Sequence, residues 1–363
     1  MCATSHDSWG GTVNKFARTA VGAASVVVLT AALGACGGDD DGGGGSDSKT
    51  IALLLPETKT TRYEAFDKPL FEAKVKELCD DCEVKYLNAD QDSAKQQQQA
   101  ESAITDGAAV LVFDPVDGEA AAGAVKSAQS SDVPVIAYDR FMEGADYYMS
   151  FDNEKVGQLQ GEALVEATGG SGNILMLNGS PTDPNAAQFK KGAHSAIDAS
   201  GLKVVAEYDN PDWSPDNAQK FVTSQLNNVD GASLAGVYAA NDGQAGGVIA
   251  ALRADGMTTF PPVTGQDAEL AAIQRIVAGD QFMTIYKSIK TEAEKAAEVA
   301  VAIVNGDDVG DTTDFQGVDS FIFEPAVVTK DNIKDTVIAD EFYTVEDICT
   351  PEYADACAAA GLS

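Results

Sequence analysis

The stretch 133-VPVIAYDRF-141 decides how this chain is read. Val133 to Tyr138 are almost wholly apolar, without the alternation of a half-exposed strand, as expected of a strand covered on both faces. Two charges follow at once, Asp139 and Arg140. Asp139 could cap a helix, because a carboxylate accepts from free backbone N–H groups. Arg140 could not, because a guanidinium accepts nothing. An arginine closing a buried strand therefore points to a ligand or to a partner charge.

The pattern recurs on both sides of this stretch. Apolar runs start at Ile51 (IALLLPE), Cys82 (CEVKYLNAD), Ala108 (AAVLVFDP) and Tyr147 (YYMSFDN), with helical segments between them. After a helix expected over Glu154–Thr168, a second series follows: GNILMLNG, LKVVAEYD, LAGVYAAND and FPPVTGQDA. MTIYKS at 283–288, a helix over Thr291–Val304 and a last strand SFIFEPAVVT complete the body. Strands alternating with helices imply crossover connections and parallel sheets. Two series of about four or five strands each predict an α/β protein of two Rossmann-like lobes joined by a multi-crossing hinge. The expected lobes are 50–152 plus 288–320 and 153–287 plus 321–345, with a tail over 346–363.

Polar groups recur where strands end: Asp114, Asp139 and Arg140, Asn241 and Asp242, Gln266 and Asp267. Open parallel sheets bind ligands outside the carboxyl ends of their strands. For Asp114 and Asp242, helix capping explains the residue as well as ligand contact does. Trp213, the one tryptophan of the body, precedes Ser214 and Pro215, a strong helix start. It is read either as a wall of a site or as a staple onto that helix. Arg62 and Tyr63 hold the equivalent place after the first strand.

Composition narrows the function. With 24 basic and 57 acidic residues among 363, the formal net charge is −33, which disfavours nucleic acid and anionic lipid as partners. Two histidines, His6 and His194, leave no His-based triad or His-rich metal site. The sequence has no GxSxG, GxxxxGK[ST] or HExxH motif. No catalytic residue, metal or cofactor is expected.

The N-terminus reads as a targeting segment. Lys15 and Arg18 precede an apolar run, Ala20–Leu33, that is too short for a comfortable membrane span. LGAC at 33–36 is similar to a bacterial lipobox, so 1–36 is expected to be a lipoprotein signal peptide with Cys36 lipidated. Residues 37–49, GGDDDGGGGSDSK, have the composition of a flexible acidic linker with an r.m.s. span of about 20 Å. The protein is thus expected on the outer face of the cell membrane, or in the periplasm. Outside the cytoplasm paired cysteines favour disulfides. Local pairing, Cys79 with Cys82 and Cys349 with Cys357, is preferred, with cross-pairing the alternative that the sequence leaves open.

Several motifs in series carry a resemblance: VPVIAYDR, SFDNEKVGQLQGEAL, NGSPTDPNA, AANDGQAGGVIAAL, GQDAELAAIQRI, MTIYKSI and NIKDTVIADEF. From about Ile51 to Phe342 the chain resembles bacterial periplasmic xylose-binding proteins and the wider group of monosaccharide-binding proteins of ABC importers. The resemblance implies the type I periplasmic-binding-protein fold, closing on one monosaccharide, xylose or a related aldose. It implies a monomer that delivers the sugar to an importer permease. The alternative use of the same binding chemistry is a sensor that presents its closed form to a chemoreceptor or histidine kinase. Carried over motif by motif, the implied ligand residues are Arg62, Tyr63, Asp139, Arg140, Asp183, Asn185, Trp213, Asn241, Asp267 and Lys287. Tyr63 stands where the xylose binders tend to carry tryptophan, a departure that bears on the choice of sugar. Arg140→Ala is expected to spare the fold and abolish binding.

Overall fold

A computed structural model describes residues 49–362. The signal peptide expected over 1–36, Cys36 itself and all of the 37–49 linker except Lys49 lie outside the described residues.

Each apolar run of the first half becomes a strand because both of its faces are covered. In chain order the first lobe builds β1 (Thr50–Leu55), α1 (Lys68–Leu78, entered through the wider turn Tyr63–Asp67), β2 (Glu83–Asn88), α2 (Ser93–Thr105), β3 (Val110–Phe113), α3 (Ala122–Gln129), β4 (Val135–Tyr138) and β5 (Tyr147–Phe151). The second lobe builds α4 (Asn153–Ala167), β6 (Ser171–Asn178), α5 (Pro184–Ile197), β7 (Gly201–Asp209), α6 (Pro215–Leu226), β8 (Leu234–Ala239), α7 (Asp242–Ala254), α8 (Leu270–Ala278) and β9 (Thr284–Tyr286). The chain then returns to the first lobe for α9 (Ile289–Asn305), β10 (Thr313–Phe315) and β11 (Val318–Phe323). It ends on the second with β12 (Ala326–Val328) and two short helices, α10 (Val345–Ile348) and α11 (Ala354–Ala359).

The first sheet has the order β10-β11-β5-β4-β3-β1-β2, parallel except for β10. Strand β1 shows how the sequence makes two cores at once. Ile51, Leu53 and Leu55 face α1 and α9 through Phe71, Val75, Ala293 and Ala297. Ala52 and Leu54 face α2 and α3 through Ala100, Ala103 and Val125. The second sheet is β7-β6-β8, parallel, again between two helical layers. Helices α4 and α5 touch backbone to backbone there. A Cβ on Gly157 would lie 1.9 Å from the Phe189 carbonyl oxygen, and one on Gly192 2.0 Å from that of Glu154.

Two expectations are corrected. SFIFEPAVVT is not one strand: Pro325 has no N–H to donate, and the run splits into β11 in the first sheet and β12, paired with β9. The last passage between lobes therefore falls after Phe323, beyond the expected 320/321 boundary. FPPVTGQDA forms no regular strand either. Pro261 and Pro262 interrupt the ladder, leaving isolated bridges at Val263 and Gln266, so the second sheet is smaller than expected.

The chain passes between the lobes near Asp152, near Lys287 and near Glu324. Several linking segments let each lobe move as a rigid body while a few residues rotate. The described structure is closed. Lys59 Nζ meets Asp212 Oδ2 at 2.6 Å, the Gly118 N–H donates to the Thr182 carbonyl at 3.2 Å, and the Thr61 N–H donates to Glu269 Oε1 at 3.3 Å, each across the lobes. Both disulfides are local, Cys79–Cys82 and Cys349–Cys357. The second closes the tail, whose Ile348 and Cys357 pack against Ile276 and Val277 of α8.

Candidate ligand-binding site

Most of the polar strand ends, Asp139, Arg140, Asn241, Gln266 and Asp267, face one gap. Between the lobes lies a small cavity, with about 300 Å³ of atom-free space when the part open to solvent is counted. Arg62 and Tyr63 reach it from the turn after β1, Asp139 and Arg140 from the end of β4. Asp183 and Asn185 come from the start of α5, Trp213 from the loop before α6 and Asn241 from the start of α7. Asp267 and Lys287 complete the wall beside the β9 segment. Thus all ten expected residues are brought together, with Gln266, read above only as a polar strand end, and two that sequence reasoning missed, Thr60 and Phe189. Phe189 carried a usable signal, one helical turn after Asn185 on the same face. Gln266 stood beside Asp267 at a strand end; Thr60 had no signal.

Capping and site placement turn out to be compatible. Asp183 caps α5 by accepting from the Asn185 N–H at 2.8 Å, and Asn241 caps α7 by accepting from the Gln244 N–H at 3.0 Å. Asp242 and Asp114 do neither. Asp242 is buried among Gln281, Thr284 and the Glu269 N–H, which all donate to it. Asp114 is buried behind Arg140, its Oδ1 at 3.4 Å from Nε.

Arg140 is fixed from several sides. Nη1 donates to the Pro115 carbonyl at 2.9 Å and Nη2 to Tyr63 Oη at 3.1 Å. Its Nε lies 2.9 Å from Asp183 Oδ2 but out of line for a hydrogen bond. Lys287 Nζ sits 3.2 Å from Asp267 Oδ1 and 3.8 Å from Asp139 Oδ1. Burial would raise the Asp139 carboxyl, but Arg62, Lys287 and Arg140 together outweigh it and hold it down to about 2. Burial raises Asp183 and, much further, Asp114, against the pull of Arg140. Burial lowers and Asp267 and Asp139 raise the Lys287 ammonium, whose net shift is upward. The cavity therefore holds permanent cations, each matched by carboxylate.

Three wall residues have left-handed backbones without being glycine: Asp139 (φ 57°), Trp213 (φ 57°) and Asp267 (φ 92°). Such backbones cost of order 1–3 kcal/mol each and persist where the surroundings over-determine them. Trp213 shows how. Its ring lies on Gly179, where a Cβ would sit 2.0 Å away, and its Nε1 donates to Asp183 Oδ2 at 3.2 Å. Phe189 meets it edge-on at 6.3 Å between ring centres. Asn185 Oδ1 and Gln266 Oε1 are buried acceptors with no hydrogen-bond partner, and Asp267 Oδ1 has only the ion pair to Lys287.

Two α/β lobes hinged through several segments and closed over a polar cavity define a solute-binding protein. The chain belongs to the periplasmic binding protein family: the model of the periplasmic binding protein domain matches residues 51–308. It is 38% identical over 308 residues to the D-xylose-binding periplasmic protein of Escherichia coli (strain K12), covering 82% of this chain and 92% of that protein. The D-xylose-binding periplasmic protein of Haemophilus influenzae is 37% identical over 312 residues, covering 82% and 91%. Among solved structures, an ABC transporter solute-binding protein from Clostridium phytofermentans with bound β-D-glucose superposes with a TM-score of 0.75 at 29% identity, covering 82% of this chain and 99% of that one. By this membership the chain is a binding protein. Among the described residues no helix is long and apolar enough to cross a membrane.

Proposed function

We propose that the protein captures a monosaccharide, D-xylose or a related aldose, in the interlobe cavity and hands it to an ABC importer. The observation that carries this reading is the set of buried acceptors without donors, Asn185 Oδ1 and Gln266 Oε1, beside cations already matched by carboxylate. Acceptors in that state call for hydroxyl donors. A charged solute would upset the balance, because an unpaired buried charge costs several kcal/mol. The aromatic faces of Tyr63, Phe189 and Trp213 suit the C–H faces of a sugar ring. The names of the relatives favour xylose.

On this reading Cys36 carries the lipid that tethers a monomer at the outer face of the membrane, and the permease is the partner of the closed form. The test is a calorimetric titration of the full mature chain with a panel of aldoses and polyols. Binding of D-xylose at micromolar Kd, about 8 kcal/mol, is the expected result. Absence of heat with every monosaccharide, from protein shown to be folded, would discard the reading.

A further inference from the structure

Behind the cavity wall, three side chains that do not line the cavity converge on one that does. Arg62 donates through Nε to Asp67 Oδ2 at 2.9 Å and through Nη2 to Asp67 Oδ1 at 2.7 Å. Its Nη2 donates also to Glu292 Oε2 at 2.8 Å, and Nη1 donates to Asp139 Oδ1 at 3.1 Å. Tyr138 Oη donates to Asp67 Oδ1 from the other side. A guanidinium has five N–H groups. These bonds engage Nε, both hydrogens of Nη2 and one of Nη1, so the remaining N–H is on Nη1.

Neutralising Arg62 does not account for Glu292. Asp67 already forms the bidentate pair, and Asp139 adds a second carboxylate. A third one, fully buried on the first turn of α9, is costly by itself. Its other oxygen, Oε1, has no hydrogen-bond partner. Glu292 also stands at the head of a row, Glu292–Arg62–Asp139–Lys287–Asp267, with every neighbouring pair within 4 Å, and burial first and Asp139 second push its own carboxyl well above the usual range. Lys287 lies on the connector that leads directly into α9, so both ends of one short segment grip this row.

We propose that Glu292, backed by Asp67 and Tyr138, is a positioning residue for the ligand site. It holds the Arg62 guanidinium in the single orientation that leaves one Nη1 N–H for a sugar hydroxyl. The inference rests on reading the cavity as a sugar site, and it concerns a residue that touches no ligand.

The test compares the full mature chain with Glu292→Gln, Glu292→Ala and Tyr138→Phe by two readouts. The first is D-xylose affinity. Glu292→Gln still offers Arg62 an acceptor and is expected within about 3-fold of the parent, whereas Glu292→Ala is expected to lose about 30-fold. The second is the NMR signal of the Arg62 Nε–H in the sugar-free protein, assigned through its loss in Arg62→Lys. It is expected to exchange slowly with water in the parent and in Glu292→Gln, and about 10-fold or more faster in Glu292→Ala. Lost affinity with an unchanged Nε–H signal overturns the proposal, since Glu292 would then act by some other route. Unchanged affinity in Glu292→Ala overturns it as well. If Glu292→Ala does not fold, Tyr138→Phe decides: faster Nε–H exchange supports the network, unchanged exchange refutes it. If the parent binds no aldose, the sugar reading falls while the exchange data still decide whether Glu292 orients Arg62.

Discussion

Arg140 is 3% exposed and serves two purposes at once. It faces the cavity, and it is also the cation against which Asp114 and Asp183 are buried. The expectation that Arg140→Ala would spare the fold is therefore revised. Removing the guanidinium leaves two buried carboxyls uncompensated, a loss of about 3–5 kcal/mol in comparable buried pairs. Sugar affinity should fall by at least about 30-fold, a loss of about 2 kcal/mol or more. The pH dependence follows from the sign of the shifts. Burial already raises Asp183 and Asp114 in the presence of Arg140. Without it their folded values rise further, so the variant regains stability as pH falls toward the ordinary carboxylate range and loses it as pH rises. Thermal melts of Arg140→Ala between about pH 4.5 and 8 check this; a melting temperature that increases with pH would contradict the account.

Among the elements, the C-terminal helices show that the tail is part of the second core. Ile348, Cys357 and Leu362 are buried beside Ile273, Ile276 and Phe342, far in sequence from the cavity residues Asp183 and Trp213. Closing a loop of this size by a disulfide stabilises by roughly 2–3 kcal/mol. The pair Cys349→Ser with Cys357→Ser should accordingly lower the unfolding free energy by that amount in urea titrations, with the ligand Kd unchanged at a temperature where the protein is folded. A changed Kd would mean that the tail reaches the site. Helices α4 and α5 are a different case. Their glycine-mediated contact sets the position of Phe189 directly, so the element that builds the second lobe also shapes the cavity.

For the molecule as a whole, closure is expected to take up a proton at Glu269, where burial outweighs the lowering effect of the Thr61 contact. Glu269, at the start of α8, accepts from the Thr61 N–H of the other lobe. The charged and titratable groups around it are Asp267, Asp242, Arg275 and Tyr343. Burial first and Asp267 second push its carboxyl up to about 7. Glu269 keeps partial contact with water in the closed form, and opening the lobes is expected to bring its carboxyl down toward the ordinary value of 4.5. A value raised in the closed form favours closure fully below the open-form value, and the advantage is lost as pH rises through about 7. Sugar affinity should therefore weaken from about pH 5 to pH 7.5, with proton uptake on binding near pH 6. Calorimetry in buffers of different ionisation enthalpy measures that uptake, and Glu269→Gln should abolish it. Equal heats in all buffers for the parent would refute the linkage. Asp139 acts in the opposite sense and lower down. Its folded value of about 2 contributes stability above the ordinary aspartate range, lost only as pH falls from about 4 toward 2.

The sequence by itself determined the α/β alternation, the two lobes and the strand ends that carry polar groups. Continuous apolar runs such as Leu53–Leu55 and Val135–Tyr138 admit few other placements, and Arg140 had no packing role as a cap. The family motifs added Asp183, Asn185 and Lys287, which periodicity alone would not have selected. Other features had no local signature. Glu292 looks like any acidic residue in the first turn of a helix, and only the packing of α9 against the first sheet brings it to Arg62. The split of SFIFEPAVVT hung on Pro325, but which sheet took each half depended on partners distant in sequence. Asp183 both caps α5 and lines the cavity, two placements that only the fold brings together. Tertiary structure decided these points since each depends on which groups lose water together, and burial is a property of the assembled lobes.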